Sequence, residues 1–162
     1  MVAINHWISA ARPTSLPAAA APVLIGTDLA VSTGVVHWLA AFLALVSALF
    51  IQIGTNLFND YADHKKGADT ENRTGPLRVT QAGLIAASSV KTGAIVSFVL
   101  AAVAGGYLMI RGGWPIVTIG VLSILFGFLY TGGKYSLAYT GLADIFVLIF
   151  FGPVAVAGTY YV

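Results

Sequence analysis

Between Asn56 and Arg78 the chain reads NLFNDYADHKKGADTENRTGPLR. Four of its six acidic residues (Asp60, Asp63, Asp69, Glu71) and four of its eight Lys/Arg (Lys65, Lys66, Arg73, Arg78) fall inside this stretch. Carboxylate and carboxamide oxygens a few residues apart suit Mg²⁺, which takes one or two carboxylates and fills its other positions with water and phosphate oxygens. Cations beside them can meet the remaining phosphate charge. The chemistry that fits is the holding of Mg²⁺ against a diphosphate. Asp60, Asp63 and Asn59 are the expected metal ligands, Asn56 stands in or beside that shell, and Lys65, Lys66, Arg73 and Arg78 are the expected phosphate contacts.

A helix must position these groups. Gln52, Asn56, Asn59, Asp60 and Asp63 follow one another at spacings of four, three, one and three, so a helix through them is expected to show them on one face. Gly67 is the expected terminator, after which Asp69 can fold back to the same place. Ending a helix this way is unfavourable, because carboxylates at a C-terminus cost roughly 0.3–1 kcal/mol each. Asp60 and Asp63, at i and i+3, also repel each other. A divalent cation between them removes both penalties. His64 has no second His or Cys at ligand spacing and is expected to face water. Charges that merely solvate a loop would explain an isolated Asp, but not five polar residues on one face of a helix entering an apolar run.

Those apolar runs set the architecture. At 58% hydrophobic and 9% charged, the chain has too little polar surface for a soluble domain and reads as a polytopic, all-α membrane bundle. Without cysteine it has no disulfide, thiolate metal site or cysteine nucleophile. The N-terminus does not resemble a cleaved signal. Five segments of about 20 residues can each cross a hydrocarbon core, at 14–33, 36–57, 90–110, 114–132 and 142–162. No linker or repeat divides them, so residues 1–162 are expected to form one membrane-embedded domain, with 60–89 as a long functional loop. Arg12, Lys65, Lys66, Arg73, Arg78, Lys91 and Lys134 all fall on one side if the N-terminus is cytoplasmic, leaving Arg111 on the other. Trp38 and Trp114 then begin spans at the outer face and Trp7 lies near the inner one. Pro17, Pro22 and Gly152-Pro153 are expected to kink their helices, and Gly105-Gly106, Gly120 and Gly127 to offer close packing surfaces. Val162 closes an apolar helix with no polar tail, which suggests the N-terminal part of a longer protein.

At the acidic stretch the sequence resembles a known family. Asn59-Asp60-Tyr61-Ala62-Asp63 is similar to the first aspartate-rich motif, N-D-x-x-D-x-x-x-D, of the UbiA superfamily of intramembrane prenyltransferases. The last motif position is Gly67 here, with Asp69 two residues later. That spacing, the following R-x-G-P-L-R, the opening Arg12-Pro13-Thr14-Ser15-Leu16-Pro17, Tyr130-Thr131-Gly132-Gly133-Lys134 and Gly141-Leu142-Ala143-Asp144-Ile145-Phe146 resemble the dihydroxynaphthoate branch of quinone biosynthesis, apart from Ala143 where Gly is usual. The resemblance implies a nine-helix bundle with two aspartate-rich motifs across a central cavity, the second lying beyond Val162. It implies Mg²⁺-dependent transfer of a polyprenyl group from an allylic diphosphate to an aromatic acceptor that loses its carboxylate.

The resemblance also bears on residues outside the acidic stretch. Lys134 would contact diphosphate, with Tyr130 at i−4 beside it; alone, the pair would read equally well as a cationic anchor with an interfacial tyrosine. Asp144 opens the fifth span, where a helix N-terminus favours a carboxylate whether or not it meets substrate. Arg12 could pair with the acceptor's carboxylate or merely set topology. The implied partners are the prenyl diphosphate, the aromatic acceptor and the bilayer, not nucleic acid. Among other functions, a transporter would favour ionisable residues within spans, and a purely structural subunit would leave the Asn/Asp stripe unexplained. Other acceptors, such as 4-hydroxybenzoate, are disfavoured by the Gly67/Asp69 spacing.

Overall fold

The computed structural model describes residues 4–67, 77–131 and 143–162, and among these no strand occurs. The elements are α1 (Ile4–Ala11), a 3₁₀ turn (Pro13–Ser15), α2 (Leu16–Ser32), α3 (Trp38–Lys66), α4 (Ala87–Thr131), α5 (Ala143–Ile149), a π-helical turn (Phe150–Val154) and α6 (Ala155–Tyr161). Among the described residues three helical stretches are long and apolar enough to cross a membrane: Ile4–Ser32, Trp38–Lys66 and Ala87–Leu129. Leu24, Phe42, Val99, Val103 and Leu148 stand exposed on the outside, as side chains that face lipid do. The protein is an all-α membrane protein.

The stretch from Ala87 to Thr131 is a hairpin rather than one rod. Gly113 takes φ 65, ψ −152, outside the helical region and open to glycine alone without strain. Phe98 and Phe128, each fifteen residues from Gly113, bring their ring centroids within 4.5 Å. Along a straight helix those rings would lie about 45 Å apart. The two arms therefore run antiparallel, matching the separate runs expected at 90–110 and 114–132. Pro115 follows at the start of the second arm, where a missing N–H costs little.

α3 runs from His37, whose Nδ1 accepts from the Ala40 amide at 3.3 Å, to Gly67 in the left-handed conformation at φ 63. The helix thus carries the whole 56–66 stretch as expected. Pro17 sits in the first turn of α2 rather than its interior, so it starts the helix instead of kinking it. Helix α2 continues through Pro22. Gly152, at φ −106 and ψ −114, with Pro153 breaks the last segment between α5 and α6. Gly127 and Gly120 do lie where a Cβ would strike Thr55 and Met109, but nothing approaches Gly106, which faces open space.

Two apolar clusters hold the bundle. One joins Ala10, Leu57, Val79, Ile85, Val90 and Ala94, with Trp7 and Phe58 against it. The other joins Val23, Ala40, Ala44, Leu108 and Ile116 further back along α2 and α3. Ser47 Oγ ties α3 to the first arm of α4 through the Ala101 carbonyl at 3.0 Å.

Candidate active site

Along α3, between these clusters, opens a cavity of about 310 Å³. Its wall is mostly apolar: Ala18, Pro22, Ile51, Phe126, Phe146 and Phe150 are typical contributors. Its polar groups are Arg12, Ser15, Gln52, Thr55, Asn59 and Ser123. The face of α3 that lines it is Ala48, Ile51, Gln52, Thr55 and Asn59, a run at helical spacing. Thr55, Ser15 and Ser123 were not singled out from the sequence. Stepping back four residues from Asn59 would have found Thr55, but nothing local marks Ser123 within an apolar run.

Arg12 reaches this cavity from a strained turn. It has φ 52, the one positive φ among described non-glycine residues, and it caps the 3₁₀ turn before α2. Left-handed backbone costs a side-chain-bearing residue roughly 1–2 kcal/mol. The turn is clasped by Asn56, whose Nδ2 donates to the Ala11 carbonyl at 2.9 Å and to Ser15 Oγ at 2.8 Å. Ser15 Oγ in turn donates to the Arg12 carbonyl at 2.9 Å, and Gln52 Nε2 donates to Ser15 Oγ at 3.3 Å. Asn56 thus spends both amide hydrogens on the chain around Arg12. The structure gives its Nδ2 a clasping role, while its Oδ1, the atom a metal would use, accepts from Gln52 Nε2 at 3.5 Å.

The acidic pair divides. Asp63 forms an ion pair with Arg78, both side chains being 8% exposed. Asp60, only 2% exposed, accepts from the backbone amide of Val79 at 3.0 Å and of Thr80 at 3.4 Å. One residue along a helix rotates a side chain by about 100°, so Asp60 cannot share the direction of Asn59. It faces the 77–86 turn, as Asp63 does through Arg78, while Asn59 lines the cavity. Both carboxylates meet the same returning segment, Asp63 at Arg78 and Asp60 at Val79 and Thr80, and of the expected stripe it is Asn59 and Gln52 that turn to the cavity. The repulsion between them is met by the protein itself, through two amides and a guanidinium. Sequence spacing could not show this, because the compensating groups return from about 18 residues downstream of Asp60.

Lys66 and His64 are exposed at the end of α3. Asp69, Arg73 and Lys134 lie outside the described residues, as do the side chains of Tyr130 and Asp144. No group of three or more His, Cys, Asp or Glu able to hold a metal occurs among the described residues. Mg²⁺ needs fewer: one or two carboxylates suffice when phosphate and water complete the octahedron. Asn59 and Asp63, one helical turn apart, are oxygen donors of the kind such a site uses; Asn59 lines the cavity and Asp63 meets Arg78.

Long apolar helices around a mostly apolar cavity with a few buried polar groups define the class, a helical intramembrane protein. Residues 19–162 match the UbiA prenyltransferase family model, and the chain belongs to that family. It is 40% identical over 161 residues to a 1,4-dihydroxy-2-naphthoate octaprenyltransferase of Mycobacterium tuberculosis, covering 99% of this chain and 55% of the relative. The Escherichia coli protein of the same description is 39% identical, with 96% and 52% covered. A 2-carboxy-1,4-naphthoquinone phytyltransferase of Synechocystis is 30% identical over 159 residues. The chain spans about half the length of the curated relatives it matches. No solved structure matches it.

Proposed function

We propose that this protein takes part in transferring a polyprenyl group from an allylic diphosphate to 1,4-dihydroxy-2-naphthoate, as part of one membrane-embedded domain. The observation that carries the reading is the apolar cavity with Arg12 and Asn59 at its polar groups and Asp63 one turn beyond. The similarity to proteins described as 1,4-dihydroxy-2-naphthoate octaprenyltransferases supports the choice of acceptor.

The apolar wall takes the isoprenoid chain and excludes water, which keeps an allylic cation from being quenched. Asn59 and Asp63 would hold Mg²⁺, which supplies charge neutralisation for the departing diphosphate. Arg12 binds an anionic group at the polar end, with Asn56 fixing its backbone. The new carbon–carbon bond forms between the ring and the allylic carbon as the bond to the diphosphate oxygen breaks. The acceptor's carboxylate leaves as CO₂, and the electron pair of its bond returns to the ring. The ring electrons that attack come from the electron-rich dihydroxy acceptor, so no oxidant is needed.

The acidic end of α3 faces the cytoplasm in this reading, because seven of eight cationic side chains then lie on that side. Reporter fusions after Lys66 should read cytoplasmic and fusions at Gly113 external; the reverse pattern would remove the site from its substrates. For the activity, full-length protein in lipid vesicles is given an allylic polyprenyl diphosphate with either 1,4-dihydroxy-2-naphthoate or 4-hydroxybenzoate. Prenylation of the naphthoate that stops on chelation of Mg²⁺ is the expected result. Preference for 4-hydroxybenzoate, or undiminished turnover with chelator, would refute it.

A further inference from the structure

Asp60 is the least explained member of the acidic stretch. A carboxylate that is 2% exposed must be satisfied by the protein, since burying an unpaired charge is prohibitive. Its two oxygens accept from two consecutive amides, Val79 N–H at 3.0 Å and Thr80 N–H at 3.4 Å. Consecutive N–H groups converging on one anion form a nest that fixes the local backbone. The turn that follows is internally bonded as well: the Ala82 amide donates to the Arg78 carbonyl at 3.0 Å, and the Leu84 amide to the Val79 carbonyl at 3.0 Å. Val79 and Ile85 are buried in the same cluster as Leu57 and Ala10, which presses this turn against α3. Arg78 immediately precedes the pinned pair and meets Asp63. Neither Asp60 nor Asp63 belongs to the wall of the cavity that Asn59 and Arg12 line.

From this geometry we infer that Asp60 is a positioning residue: it anchors the Val79–Thr80 amides and so presents the Arg78 guanidinium to Asp63, rather than ligating the metal itself. The inference rests on the proposed function in one respect, that Asp63 is the carboxylate offered to the cation. It assigns the two aspartates different tasks. Asp63 faces the charge of the substrate complex, with Arg78 held beside it as the counter-charge. Asp60 is engaged by the loop amides, and its loss would be felt through the loop.

The test uses full-length protein in lipid nanodiscs, with Mn²⁺ plus inorganic diphosphate as the probe. Hydrogen exchange at the Val79 and Thr80 amides and Mn²⁺ affinity are read together. In Asp60→Asn, protection of those amides should fall about tenfold or more, as loss of a charge-assisted bond requires, while Mn²⁺ affinity stays within about twofold. In Asp63→Asn, Mn²⁺ affinity should fall about tenfold or more with the two amides still protected. The unmutated protein provides a control that does not depend on folding of a variant: saturating Mn²⁺ and diphosphate should leave protection at Val79 and Thr80 unchanged. Loss of that protection on metal binding would show Asp60 leaving the loop for the cation and would overturn the inference. So would a large fall in Mn²⁺ affinity, or unchanged amide protection, in Asp60→Asn. If Asp60→Asn loosens the loop while Asp63→Asn leaves Mn²⁺ affinity intact, the metal role of Asp63 fails and the anchoring role of Asp60 stands.

Discussion

Removal of Asp63 should cost the protein its stability as well as its chemistry, and the two losses can be separated. Asp63 and Arg78 are each 8% exposed, so Asp63→Ala takes a carboxylate partner from a guanidinium in a poorly hydrated place. Breaking a buried pair from one side costs about 3–5 kcal/mol, most of it from the charge left behind. For a chain of this size each kcal/mol moves Tm by roughly 2–4 °C, so a drop of about 6–20 °C is expected. Arg78→Leu should cost a similar amount for the mirror reason. The double variant Asp63→Ala/Arg78→Leu removes both charges of the pair and should lose no more than either single variant, a coupling of about 3 kcal/mol. Thermal unfolding in detergent, followed by tryptophan emission, measures this; Trp7 packs against the adjoining core and reports on that end of the bundle. Prenyl transfer should remain absent in the double variant even though its stability falls no further than that of either single variant. Additive losses in the double variant would show that the two side chains do not share a buried pair, and the electrostatic argument for the site would fall with it.

Two further perturbations probe the parts that hold the site. A Cβ at Gly93 would come within 2.8 Å of Trp7 Cζ3 and 3.4 Å of Leu57 Cδ1, so Gly93→Val should lever α1 from α4, cost about 1–3 kcal/mol and shift Trp7 emission to longer wavelength; unchanged emission would mean that α1 does not pack there. Arg12→Gly relieves the left-handed strain at φ 52 but removes the guanidinium. Its Tm should therefore hold or rise, whereas KM for one anionic substrate should rise about tenfold or more; a lowered Tm with unchanged KM would make Arg12 purely structural.

Much of the scaffold could be read directly from residue order. Long apolar runs require helices in a membrane, the gap between the runs at 90–110 and 114–132 marks the hairpin, and Gly67 ends α3 in the left-handed conformation that glycine favours. The stripe of Gln52, Asn59 and Asp63 could also be placed on a helix from spacing alone. What spacing could not reveal is which group answers each polar atom. The partners of Asp60 and Asp63 come from the 77–86 turn, and those of Asn56 from the break between α1 and α2. These are tertiary encounters between elements whose own sequences carry no sign of the meeting. The far wall of the cavity was hidden for a related reason: Phe126, Phe146 and Phe150 sit in runs that are apolar on every side, so no periodicity separates a cavity-facing ring from a lipid-facing one.

That cavity is the centre of the account, and photolabelling tests it most directly. A short allylic diphosphate bearing a diazirine on its hydrocarbon tail is bound to the full-length protein in vesicles with Mg²⁺, irradiated, and the labelled peptides are mapped. Label should fall within 123–127 and 146–151, on the cavity wall, and disappear when excess unlabelled diphosphate competes. Label confined to the lipid-facing residues Val99, Val103 and Ile110, or cavity label that unlabelled diphosphate does not displace, would contradict it.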